Sequence, residues 1–176
     1  GLSFTLGRKK DEPAPEPAAE STAYAPTLEP WSCEGVDRVH NFDTVFLASQ
    51  PDEQAFEKAS KNGVKTVVNL RMPSENGESE RAQVERLGIR YVNVPFDKDH
   101  LSDAAVDGVL EVLADPENHP VMIHCSSSNR SGMVWMAIRG TRDGLDAAAA
   151  EAEGKRAGLR SPVYVEFARD YISRRR

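Results

Sequence analysis

Cysteine is scarce in this chain, with two in 176 residues, Cys33 and Cys125. Two are too few for a disulfide framework, so a packed core must hold the fold. A regulatory Cys33–Cys125 bridge is the lesser alternative to two free thiols. Long apolar runs are also missing. No stretch of about 18 apolar residues occurs, which leaves no transmembrane helix to expect. Nor is there an excess of positive charge: the net charge of −6 argues against a general nucleic-acid surface. A recessed site still accepts an anion, because the local field there matters more than the total. The four histidines (His40, His100, His119, His124) have no metal-ligand spacing with the cysteines or each other, so neither metal nor cofactor is expected. No signal-peptide core is visible, yet the sequence opens at Gly1 without methionine.

What is present divides in two. Residues 1–30 include Lys9-Lys10-Asp11-Glu12-Pro13-Ala14-Pro15-Glu16-Pro17-Ala18-Ala19-Glu20, too poor in apolar surface to offset chain entropy. They read as a flexible Pro/Ala/Glu-rich tail, which together with the missing methionine favours an exported over a cytoplasmic protein. Residues 31–176 read as one domain. Val36 to Ala48 suits two strands with a turn at Asn41, and Ser49-Gln50-Pro51 opens a helix that Gly63 ends. Strands follow over 64–70 and 89–94, with a helix over 79–87 between them. Ser102 caps a helix with Val106, Val109, Leu110 and Leu113 on one face. A strand over 121–124 and a helix from Ser131 to about Arg142 come next. Asp146 caps a further helix that Gly154 weakens and Gly158 ends, and Ser161-Pro162 starts the last, whose Tyr164, Phe167, Ala168 and Tyr171 form a core stripe. Alternating strands and helices predict an α/β domain with a central, largely parallel sheet flanked by helices.

Within that frame Val121 to Met136 stands out: an apolar strand, a polar loop, then a helix N-terminus. Cys125 closes the strand and Arg130 opens the helix. The unpaired amides and positive dipole end of a helix favour a thiolate and attract an anion. Arg71 and Asp97 also follow predicted strands, and ligands in such sheets bind beyond the strands' carboxyl ends. The three loops can therefore meet at one edge.

His124-Cys125-Ser126-Ser127-Ser128-Asn129-Arg130-Ser131-Gly132 resembles the phosphate-binding loop of cysteine-dependent protein tyrosine and dual-specificity phosphatases. It departs from that pattern in spacing, with four residues instead of five between Cys125 and Arg130, and in having no glycine inside the loop. Asn129 is the residue best able to take a left-handed conformation there. Ser49-Gln50-Pro51, Asn69-Leu70-Arg71 and the short loop, in that order, make residues 36–172 similar to the phosphatase-like family named after beta-lactamase hydrolase-like proteins, whose members usually carry glycine at the Ser128 position.

The resemblance implies a phosphatase-like α/β fold of dual-specificity type and a phosphorylated protein, peptide or small molecule as substrate. It implies Cys125 as nucleophile, Arg130 and the amides of Ser126, Ser127, Ser128 and Asn129 as phosphate cradle, and Ser131 as helper to the departing sulfur. Asp97 or Asp99 would be the general acid. Arg71 would touch substrate or pair with a loop carboxylate. Two alternatives stay open. Rhodanese-type sulfurtransferases also hold a cysteine in a compact amide ring, and would use a Cys125 persulfide. A phosphate-binding pseudophosphatase would lack a competent acid.

Overall fold

Val67, Val68, Val121, Met122 and Ile123 are apolar on consecutive positions, the pattern of strands covered on both faces. A computed structural model, which describes residues 25–176, bears this out. Its strands are β1 (Glu29–Trp31), β2 (Val39–Phe42), β3 (Val45–Ala48), β4 (Thr66–Asn69), β5 (Arg90–Asn93) and β6 (Val121–His124). They form one sheet in the order β1-β2-β3-β6-β4-β5. The pairings β3–β6, β6–β4 and β4–β5 are parallel, whereas β1 and β2 add an antiparallel edge. All four residues of β6 are buried at the centre.

Helices α1 (Glu53–Lys61) and α2 (Arg81–Arg86) cover one face. There Phe56, Ala59, Val84 and Ile89 pack with Val67 and Met122. The other face carries α3 (Asp103–Ala114), α4 (Asn129–Thr141), α5 (Ala147–Arg156) and α6 (Pro162–Arg175). Leu47, Val68 and Ile123 meet Val106, Val109, Val134, Ala150 and Tyr171 in this larger core. The expected α/β sandwich of helices around a largely parallel sheet is thus observed.

Several local expectations shift. The first hairpin turns at Asp43, where φ is +55°, while Asn41 stays in β2 and donates its amide to the Asp43 and Val45 carbonyls. Asp52, not Ser49 or Gln50, caps α1 by accepting from Ala55 N at 2.8 Å. Leu28 is buried and β1 pairs with β2, so ordered chain begins within the stretch expected as tail; residues 1–24 of that tail lie outside the described residues.

Gly154 sits inside α5, which continues unbroken to Arg156. It marks a close crossing of two helices. A Cβ on Gly154 would lie 2.8 Å from the Gly132 carbonyl oxygen of α4, and one on Gly132 would lie 2.5 Å from Leu159 N and 2.6 Å from Gly154 O. The pair lets α4 press against α5 and the segment leading to α6.

Candidate active site

β6 delivers Cys125 to the carboxyl edge of the sheet, its amide donating to Ala48 O at 3.3 Å. The chain then turns through Ser126–Ser128 into α4, which starts two residues earlier than expected and so takes Arg130 into its first turn. Ser128, not Asn129, adopts the left-handed conformation, with φ +72°. A serine is tolerated there because its hydroxyl is spent internally, donating to Ala157 O at 2.7 Å. Gly158 permits that approach: it has φ +126°, and a Cβ on it would lie 2.7 Å from Ser128 O.

The same α5–α6 segment grips the loop at two more points. Asn129 Oδ1 accepts from Arg160 N (2.9 Å) and Ser161 N (3.3 Å), and its amide donates to Ser161 Oγ at 2.7 Å. Arg160 Nη2 donates to Ser127 Oγ at 2.7 Å. Gln50 N donates to Ser126 O at 3.0 Å on the other side. The Ser127 and Ser128 hydroxyls and the Ser126 and Ser128 carbonyls are therefore occupied. The loop's Ser126, Ser127 and Ser128 amides have no protein acceptor among the described residues. The first-turn amides of α4 are free by helix geometry, so the edge is rich in donors suited to an anion.

Ser131 Oγ lies 3.6 Å from Cys125 Sγ and 3.0 Å from Ala48 O, so its single proton serves one or the other. Arg130 is buried and makes a two-pronged contact with Glu75, Nη1 to Oε2 and Nη2 to Oε1, both at 2.8 Å. Nη1 also donates to Phe96 O at 3.1 Å. Burial works against the guanidinium's charge, but the Glu75 hydrogen bonds and the nearby Cys125 and Glu75 charges raise its pKa. Reciprocally, the Arg130 hydrogen bond holds the Glu75 carboxyl at about 2, against a smaller opposing effect of burial.

Behind the loop, His124 Nε2 meets Glu80 Oε2 at 2.6 Å while Nδ1 faces the Cys125 carbonyl at 3.2 Å. Glu80 also accepts from Gln50 Nε2 at 2.9 Å. Burial pushes the Glu80 carboxyl up, yet the His124, Gln50 and Arg71 contacts together leave it below the usual range. Arg71 is part of this buried group, with Nη2 3.6 Å from Glu80 Oε1 and 3.4 Å from Asn76 O. The structure thus places Arg71 in an ion pair with Glu80.

Above Arg130 opens a polar cavity of about 330 Å³, lined by Ser127, Asn129, Glu75 and Tyr164 and by Asp97, Lys98 and Asp99 of the β5–α3 loop. Asp97 Oδ1 is held by His100 Nδ1 (2.7 Å) and Asp99 N (3.0 Å), and the His100 hydrogen bond keeps its carboxyl below the usual carboxylate range. Tyr164, read from sequence as core, is both core and cavity wall. It packs edge-on to Phe96 with centroids 5.9 Å apart, and burial pushes its hydroxyl up to about 12 although Arg130 opposes. Glu75, Glu80, Arg160 and Tyr164 escaped the sequence reading as site residues.

Both cysteines are free, Cys33 lining a separate apolar hollow of about 180 Å³ with Trp31, Phe46 and Met122. Among the described residues no cluster of three or more His, Cys, Asp or Glu side chains is arranged to hold a metal ion.

No protein-family model matches the chain. It is 29% identical over 144 residues to the dual specificity protein phosphatase TpbA of Pseudomonas aeruginosa strain UCBPP-PA14, covering 81% of this chain. The chain spans 62% of the length of that relative. A beta-lactamase hydrolase-like protein of Xylella fastidiosa is 26% identical over 94 residues, 51% of this chain and 22% of that protein. In three dimensions, a Cys→Ser variant of P. aeruginosa TpbA in complex with pTyr superposes with a TM-score of 0.65 at 24% identity, covering 82% of this chain and 88% of that one.

Proposed function

We propose that this chain, a member of the cysteine-dependent phosphatase superfamily, hydrolyses phosphate monoesters through a phosphocysteine. The observation that carries the reading is a buried cysteine and a buried arginine at the two ends of one donor-rich loop, the arginine lining a polar cavity. The Cys125 thiolate attacks phosphorus in line. The loop amides and the Arg130 guanidinium hold the equatorial oxygens, whose charge rises in the transition state. An Asp97 or Asp99 carboxyl protonates the leaving oxygen, then activates the water that cleaves the thiophosphate. The Ser131 hydroxyl turns from Ala48 O to Sγ as the sulfur regains charge in that second step. Asp99 is the better donor of the two. Its carboxyl has no hydrogen bond among the described residues, whereas Asp97 is tied to His100.

The substrate we assign is a phosphotyrosine or similar phosphate monoester, supported by the pTyr complex of TpbA. Tyr164, backed by the buried Phe96, supplies an aromatic wall beside Arg130 that suits an aryl leaving group. Activity is assigned to the folded domain, which includes Leu28 and β1, and the enzyme is assigned to an exported location, a placement that cell fractionation tests. No helix among the described residues is long and apolar enough to cross a membrane.

The deciding assay measures aryl-phosphate hydrolysis and thiosulfate-to-cyanide sulfur transfer for the parent and for Cys125→Ser. Phosphate release that disappears in Cys125→Ser is expected. Thiocyanate without phosphate would make the chain a sulfurtransferase. Oxyanion binding with neither activity would make it a phosphate-binding pseudophosphatase.

A further inference from the structure

Glu80, the residue immediately before α2, is buried, and so is His124. Burying a carboxylate is costly unless charges and donors surround it, and the mechanism above gives neither side chain a task. What surrounds Glu80 is the back of the loop. Its Oε2 meets His124 Nε2 at 2.6 Å, and its Oε1 accepts from Gln50 Nε2 at 2.9 Å, with Arg71 Nη2 at 3.6 Å. The first two partners each hold one carbonyl of the loop. His124 Nδ1 faces Cys125 O at 3.2 Å, and Gln50 N donates to Ser126 O at 3.0 Å. Both neighbours of the His124 ring are acceptors, because the Glu80 contacts outweigh burial and keep its carboxyl ionised. The ring therefore bonds both only with a hydrogen on each nitrogen: Glu80 claims the one on Nε2, and Nδ1–H is left for the Cys125 carbonyl.

A trans peptide is planar, with its C=O and N–H on opposite sides. A carbonyl tied back to His124 or Gln50 thus turns the next residue's N–H the other way. Cys125 O and Ser126 O are tied back, so the amides turned away from this knot are those of Ser126 and Ser127. We infer that Glu80 is a positioning residue: through His124 and Gln50 it sets the two peptide planes that aim the Ser126 and Ser127 amides at the phosphate. The proposal rests on the phosphatase reading. The rival account makes Glu80 an anchor that only joins the ends of β4 and β6 to the β3–α1 turn.

The test compares the parent, Glu80→Gln, Glu80→Leu, His124→Ala and the His124→Ala/Glu80→Leu double variant. It reads aryl-phosphate kcat and KM, tungstate affinity by calorimetry, the tungstate-induced shifts of the Ser126 and Ser127 amide resonances, and thermal midpoint. Glu80→Leu should lower kcat/KM by roughly 10- to 100-fold, the scale of a misplaced contact, with most of the loss in kcat. It should also shrink both amide shifts. Glu80→Gln, which keeps a carbonyl for His124, should recover part of the rate but still weaken tungstate by about threefold. In the His124→Ala background the Glu80→Leu change should cost only about threefold, the share left to Gln50. Parent-like tungstate affinity and amide shifts in Glu80→Leu, whatever its thermal midpoint, would reduce Glu80 to an anchor. An equal loss in both backgrounds would do the same. If Glu80→Leu does not fold, Glu80→Gln decides, and parent-like tungstate binding there overturns the proposal. If the parent hydrolyses no aryl phosphate, the phosphatase reading fails by itself. The tungstate affinities and amide shifts then decide the positioning claim, which falls too if the parent binds no tungstate.

Discussion

Gly154→Ala sets helix propensity against packing. In an exposed helix interior the change would stabilise by about 1 kcal/mol. Here the new methyl group would meet Gly132 O at 2.8 Å, Met136 Cβ at 2.9 Å and Leu159 Cδ2 at 3.1 Å. The first contact is with backbone and the second with a Cβ, so neither yields by a rotamer change; α4 and α5 must separate. Overpacking of this kind costs about 1–3 kcal/mol, occasionally more. The net expectation is a loss of up to about 2 kcal/mol, which lowers the thermal midpoint by up to about 8 °C in a chain of this size. Activity should fall further than stability, because Leu159–Ser161 would move with α5 and its neighbour Arg160 holds Ser127 and Asn129. A displacement of a few tenths of an ångström there should reduce kcat/KM about tenfold. Thermal denaturation and aryl-phosphate turnover read the two effects separately. A Gly154→Ala protein that melts higher than the parent, with unchanged turnover, would refute the reasoning.

Three further outcomes are expected. Glu75, normally at 4.5 and held at about 2 by Arg130, binds protons more readily in the unfolded chain, so its stabilisation is present above pH 4.5 and is lost as pH falls toward 2. The full shift corresponds to an upper bound of about 3 kcal/mol, and screening at a carboxylate one-third exposed reduces this to about 1–2 kcal/mol. Accordingly, the gap in thermal midpoint between the parent and Glu75→Gln should shrink from pH 6.5 to pH 2.5, and a constant gap would contradict the linkage. Asp99→Asn should cut alkyl-phosphate hydrolysis about 100-fold while sparing substrates with good leaving groups, as loss of a general acid does; if Asp97→Asn does this instead, the acid has been assigned to the wrong carboxylate. Asn129→Ala removes hydrogen bonds to Arg160 N, Ser161 N and Ser161 Oγ, and should lower stability by about 2 kcal/mol in denaturant titration.

The parts of this molecule that rest on contiguous pattern were legible in the sequence. β6 announced itself as an apolar run, and Cys125, Arg130 and Ser131 sit on one turn of chain where spacing speaks directly. Glu75 and Glu80 were not legible, because Ser74-Glu75-Asn76 and Ser79-Glu80 have the composition of any solvated loop. Only the tertiary fold brings Glu75 to Arg130, 55 residues away, and Glu80 to His124, 44 residues away. Gly154 was misread for a related reason. Propensity treats a helical glycine as a weakness, whereas its use lies in a neighbour that sequence order does not reveal. The left-handed residue was likewise misassigned to Asn129: intrinsic preference favours asparagine, but the Ser128–Ala157 hydrogen bond decided the matter.

That last contact has a temporal consequence. Ser128, Asn129 and Ser127 are all fastened to Ala157, Arg160 or Ser161, which a ribosome adds roughly 30 residues after the loop itself. The sheet through β6 can assemble while synthesis continues, but the loop has no reason to hold its left-handed turn until that later segment emerges. A nascent chain stalled before Ala157 would thus carry Cys125 without the contacts that shape its loop, so the loop would take its form only after the sheet that presents it.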